Sequence, residues 1–143
     1  MEDLEQMRQW LLGYPGWSND CLLYVDYMDA APESAGLYPK GVQELDRREV
    51  ILGGVYIRCR YQFTLHRVVA GEGDRREAAR WLLKFQSWVR EQSRLGLAPR
   101  FGDVPNREHI RAERGSLKEV SGRGTVKYAV TLTADFEKKY CDQ

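Results

Sequence analysis

The chain has 143 residues, 43% of them hydrophobic, which suits one domain with a buried core. Its 22 basic and 21 acidic residues give a formal net charge of +1, so no overall field steers it to nucleic acid or anionic lipid, and a dedicated DNA-binding protein is disfavoured. An acidic start, Met1-Glu2-Asp3-Leu4-Glu5, does not read as a signal peptide, and no apolar run approaches the roughly 20 residues of a membrane helix.

Residues 2 to 12 place Leu4, Met7 and Leu11 on one helical face with Trp10 beside them, and Gly13-Tyr14-Pro15-Gly16 ends the segment as a turn. A strand is expected over 21 to 29, with Leu23, Val25 and Tyr27 on one face and Asp26 on the other. A loop is expected from Ala30 to Pro39, because Pro32, Gly36 and Pro39 interrupt regular structure. Residues 41 to 52 read as a second strand ending at Gly53-Gly54.

The third strand carries the clearest alternation: Val55, Ile57, Cys59, Tyr61, Phe63 and Leu65 against Tyr56, Arg58, Arg60, Gln62, Thr64 and His66. From Val55 to Val68 it would run roughly 46 Å if straight, so it must bend, carry a bulge or project past the core. A projecting hairpin needs something to pair with, and a neighbouring subunit is the simplest candidate.

Asp74 and Glu77 have capping spacing, and the helix Arg75 to Leu95, about 31 Å long, carries Ala78, Trp81, Leu82, Phe85, Trp88, Val89 and Leu95 on one stripe before Gly96. After a loop at Pro99 to Asn106, residues 109 to 120 and 125 to 137 form two strands joined at Ser121-Gly122-Arg123-Gly124. The expected fold is a single α+β domain: a mainly antiparallel or mixed sheet of about five strands, with one long helix and a short N-terminal helix on one face.

The residue pattern points to no catalytic or metal chemistry. Neither His66 nor His109 has a partner at metal-ligand spacing, and both read as exposed imidazoles. Gly71-Glu72-Gly73 and Gly122-Arg123-Gly124 are isolated GxG pairs without the surrounding phosphate-loop pattern. Cys21, Cys59 and Cys141 form no CxxC pair, which fits a reducing, intracellular setting, and none has a base that sequence places beside it. The stripe Tyr56, Arg58, Arg60, Gln62 has three readings: a solvated sheet face, a stacking surface for single-stranded nucleic acid, or a subunit interface. Sixteen of the 22 basic residues are Arg, which suits bidentate carboxylate pairing at interfaces and equally follows from GC-rich codons.

Three stretches carry a resemblance: Tyr61-Gln62-Phe63-Thr64-Leu65-His66-Arg67, Ala78-Ala79-Arg80-Trp81-Leu82-Leu83-Lys84-Phe85-Gln86-Ser87-Trp88-Val89, and Gly124-Thr125-Val126-Lys127-Tyr128-Ala129-Val130-Thr131-Leu132. With the element order, they make the chain similar to tail terminator, or minor tail/capsid, proteins of Gram-positive phages and prophages. The resemblance implies a homo-oligomeric ring, commonly a hexamer, that caps the tail tube and docks to the head connector. It implies no enzyme activity and no cofactor, and it locates the protein in the host cytoplasm during assembly and then in the virion tail. It carries over no individual residue. From the strand faces, the candidates for ring or lumen contacts are Arg58, Arg60, His66, Lys127 and Asp135. Two alternatives remain at this point: a small-molecule enzyme such as an acyl transferase, and a nucleic-acid-binding module.

Overall fold

A computed structural model describes residues 3–17, 21–26, 34–51, 53–70, 75–120 and 125–140. In chain order the elements are α1 (Asp3–Leu12), β1 (Leu22–Val25), β2 (Ser34–Glu49), β3 (Val55–Ala70), α2 (Arg75–Arg94), a 3₁₀ turn (Pro105–Arg107), β4 (His109–Val120) and β5 (Thr125–Tyr140). The fold is α+β: one five-stranded mixed sheet in the order β1-β2-β3-β5-β4, parallel only between β1 and β2, with two helices.

Alternation sorts the sheet into two faces. Phe63 and Leu65 on β3 stand opposite Leu132 and Val130 on β5, and all four are buried with Ala35 and Leu37 of β2 and Ile110 of β4. Onto this face α1 brings Met7 and Leu11, and α2 brings Trp81, Leu82, Phe85 and Val89, as the helical periodicity predicts. Trp10 stacks on Trp88 with centroids 4.8 Å apart, and Tyr14 meets Trp17, Trp81, Phe85 and Trp88. The indoles satisfy their donors locally: Trp17 Nε1 donates to Leu11 O and Trp81 Nε1 to Gly16 O. The turn after α1 is thereby clamped to α2.

Four expectations change. The interruption expected through Pro39 is instead continuous strand from Ser34. Leu37 O accepts from Asp26 N, so odd-numbered residues here turn their peptide groups outward, and at Pro39, beyond the last β1 pairing, the missing N–H faces an open edge. Gly36 is simply buried within the strand. Pro32 and positions 27 to 29 of the first strand lie outside the described residues, as do Asp74, Cys141 and both GxG pairs.

Second, Leu95 leaves the apolar stripe and is exposed, because α2 ends at Arg94. Gly96, at φ 73°, gives its N–H to Ser93 O while Leu97 N donates to Gln92 O, a Schellman ending that turns Leu95 outward. Third, β3 and β5 run further than expected, to Ala70 and Tyr140, and pair in unbroken register from Val55–Tyr140 to Ala70–Thr125. Fourth, His66 is half-buried against the Tyr38 ring, 5.2 Å away, rather than exposed.

Of the overlong strands, β3 projects without a bulge of its own, and the bulges fall in its neighbour β2. β2 has register breaks between Pro39 and Gly41 and between Glu44 and Asp46, and it pairs with β3 of its own chain throughout. From Pro39 onward its side chains are exposed, Leu45 alone being half-buried, and beyond the row of Gln43, Arg60, Asp135 and His109, where β4 begins, β2, β3 and β5 continue as a three-stranded arm.

Candidate functional site

The face of the sheet opposite the helices carries a cluster of linked charges. Its rows follow from the register: Gln43, Arg60, Asp135 and His109 lie side by side across four strands, with Asp46, Arg58 and Glu137 in the next row outward. Asp135 and Glu137 are buried, and so is Thr133 beside them. Guanidinium groups produce that burial.

Arg60 clamps Asp135 with two bonds, Nε to Oδ1 at 2.7 Å and Nη2 to Oδ2 at 3.1 Å, and Arg111 Nη1 adds a third at 3.3 Å. Burial alone would raise the Asp135 carboxyl, but these two arginines outweigh it and hold the group below its ordinary range. Arg111 also donates to Glu113. Glu137 is held more loosely, with Arg48 Nη2 at 3.5 Å and Arg107 Nε at 3.8 Å. Arg48 and Lys139 sit over the Tyr56 ring at 5.0 and 5.7 Å. Arg58, set between Asp46 and Glu137 in the register, is exposed and makes no ion pair with a described residue.

Arg58, Arg60, Arg107, His109, Arg111, Asp135 and Glu137 together enclose a recess of about 430 Å³. The 3₁₀ turn supplies Arg107, and the loop before it is fixed to the edge of β5: Asp103 N donates to Glu137 O, and Asp103 Oδ2 accepts from Lys139 N, both at 2.8 Å. Gly102 approaches Glu137 so closely that a Cβ there would collide with its carbonyl oxygen. Gly102 N donates to Glu108 Oε1 at 2.7 Å, yet burial leaves the Glu108 carboxyl above its ordinary value.

Of the five candidates read from the sequence, the structure brings together Arg58, Arg60 and Asp135. His66 and Lys127 share their face but lie six and eight residues along the strands, roughly 20 and 27 Å away. Arg48, Arg107, Arg111 and Glu137 were not singled out. The signal for Glu137 was its period-two spacing from Asp135 on one strand, and for Arg111 the same spacing from His109. Arg48 and Arg107 come from separate segments that only the topology joins.

A second recess, of about 360 Å³, lies on the other face at the root of the arm, lined by Asp3, Leu4, Pro39, Gly41, Val42, Tyr61, Gln62 and Phe63. Tyr61 donates its hydroxyl to Asp3 Oδ2 at 2.6 Å, and burial together with this bond pushes the phenol up to about 12. Neither recess has a serine or cysteine among its lining residues, and His109 faces a carboxylate already occupied by two arginines. Burial and nearby Glu44 push the Cys59 thiol up, away from a nucleophilic thiolate. Among the described residues no group of three or more His, Cys, Asp or Glu side chains could hold a metal ion, and no helix is long and apolar enough to cross a membrane. In comparisons with known proteins, no protein-family model and no curated protein matched the chain.

Proposed function

We propose that this protein is a structural assembly subunit of a phage or prophage tail, a tail terminator that closes into a homo-oligomeric ring, of hexamer type, at the head-proximal end of the tail tube. Its partners on this reading are its own copies, the tube protein and the head connector, and it acts without catalysis. The observation that carries the reading is the arm: β2, β3 and β5 continue as three strands past the end of β4, and β2 is exposed from Pro39 to Glu49 apart from half-buried Leu45. Ordering the backbone of β2 over that span costs about 1–2 kcal/mol per residue, and its exposed side chains recover little of it within the chain. A neighbouring subunit supplies the missing burial, and a contact between unlike surfaces generates a ring when its rotation closes.

The other edges of the sheet support a contact through the arm. Ser93 Oγ donates to Ile110 O and accepts from Ile110 N, so α2 occupies the outer edge of β4. Arg8 Nε donates to Leu23 O on the outer edge of β1. Multi-angle light scattering across a wide concentration range, with and without tube protein, tests the proposal alongside negative-stain imaging. Rings of about six subunits are expected. A particle that stays monomeric at every concentration and binds no tube protein refutes the reading.

A further inference from the structure

The recess on the charged face is more cationic than its own structural pairing needs. Four guanidinium groups, from Arg58, Arg60, Arg107 and Arg111, line it with two carboxylates, from Asp135 and Glu137. The Asp135 oxygens are filled by the Arg60 clamp and Arg111. Glu137 lies 3.8 Å from Arg107, a long contact that leaves most of that fork uncommitted, and Arg58 has no carboxylate of its own among the described residues. Each guanidinium offers five N–H donors in a rigid plane. Glu113, outside the lining, takes a further donor of Arg111, so Arg60 and Arg111 are committed to carboxylates while Arg58 and Arg107 keep most of their donors, which converge on the same volume.

We propose that this recess binds a phosphate group in its dianionic form. Arg58 and Arg107, the two lining guanidinium groups least committed to carboxylates, offer two charges to a dianion, and arginine forks suit the oxygen geometry of phosphate. Arg60 is the fixed wall, because Asp135 holds its plane; Arg58 and Arg107, exposed at the rim, close on the ligand. The chemistry has two sources: a free or small-molecule phosphate, and the terminal phosphate of a nucleic-acid strand. The site needs only one chain, so its test stands whether or not the protein forms a ring.

The experiment is calorimetric titration of the full chain with inorganic phosphate at low ionic strength and pH 7.5, against chloride at equal ionic strength. Arg58→Ala removes one charge-assisted donor from an exposed position and is expected to weaken binding by about tenfold. Glu137→Gln removes a competing carboxylate and is expected to tighten binding by about threefold or more, an effect that loss of folding cannot imitate. Competition with a short single strand, with and without a 5′ phosphate, separates the sources. Displacement of phosphate by the phosphorylated strand alone assigns a nucleic-acid end, and no displacement by either assigns the free or small-molecule phosphate. Displacement by both strands alike overturns recognition of a dianion. Absence of phosphate binding, or binding unchanged in both variants, overturns the site itself.

Discussion

Replacing Asp135 with alanine tests the charged face most directly. The carboxylate is buried, its side chain 9% exposed, and it is the shared acceptor for Arg60 and Arg111. Removing one partner of a fully buried pair typically costs about 3–5 kcal/mol, because the other charge is left uncompensated. Arg60 keeps a quarter of its side-chain surface in water, so solvent screens part of that loss and the expected cost falls to about 2–3 kcal/mol. Unfolding entropy for a chain of this length is about 0.3 kcal/mol per degree, so the midpoint should drop by about 8 °C. Thermal unfolding followed by circular dichroism reads this out, and a double-mutant cycle with Arg60→Ala isolates the pair. The double variant should lose less than the two single losses added together. A midpoint shift under about 2 °C, or additive losses, would show that the cluster is a solvated surface and refute the energetic argument.

Three further substitutions address the surroundings of the recess. Asp135 and Glu108 should shape acid stability in opposite ways. The folded value of Asp135 lies below its unfolded one, so its contribution is present above about pH 4 and lost as pH falls through the folded value; Asp135→Asn should flatten that acid limb. Burial raises Glu108, so its contribution is greatest below about pH 4 and declines as pH rises toward the folded value; Glu108→Gln should abolish that decline. Urea unfolding between pH 3 and 7 checks both, and unchanged pH profiles would count against the assigned shifts. In Gly102→Ala the new methyl collides with Glu137 O, forcing the loop from the β5 edge at a cost of about 2 kcal/mol. Amide exchange at Asp103 and Lys139 should accelerate, and unaltered protection at both would refute the close approach.

The parts of the fold legible in the sequence were those with one dry face. β3 and β5 alternate over a long span because they form the sheet's centre, and α2 is read from Trp81, Leu82, Phe85 and Val89 because that stripe is its contact with the sheet. β2 was hidden at its start because Pro39 and Gly36 signal interruption in isolation, whereas Pro39 is tolerated wherever an edge has no neighbour. The parallel β1–β2 pairing has no local signature at all. The recess was half legible: Arg58, Arg60 and Asp135 alternate visibly on two strands, but alternating charge reads equally as a wet face. Only the strand order β3-β5-β4 and the anchored loop turn these residues into an enclosure with Arg107 and Arg111.

The arm's edge and its faces point to different modes of association. Along the open edge of β2 stand Pro39, two register breaks, and the pair Arg47 and Arg48, which are the devices that discourage addition of another strand. An arm meant to extend the sheet into a neighbour would keep that edge flat and its donors regular. The faces are not guarded in this way. On the helix side, half-buried Cys59 and Tyr61 pack against the rim of the core, half-buried Ile57 continues their row outward, and Val42 beside Tyr61 is 60% exposed. On the ring reading, subunits therefore meet by laying this face of the arm across a neighbour, with side-chain packing in place of backbone pairing. Val42→Asp, which leaves every hydrogen bond of the arm intact, should then dissolve the ring while sparing the fold, whereas strand addition would survive it.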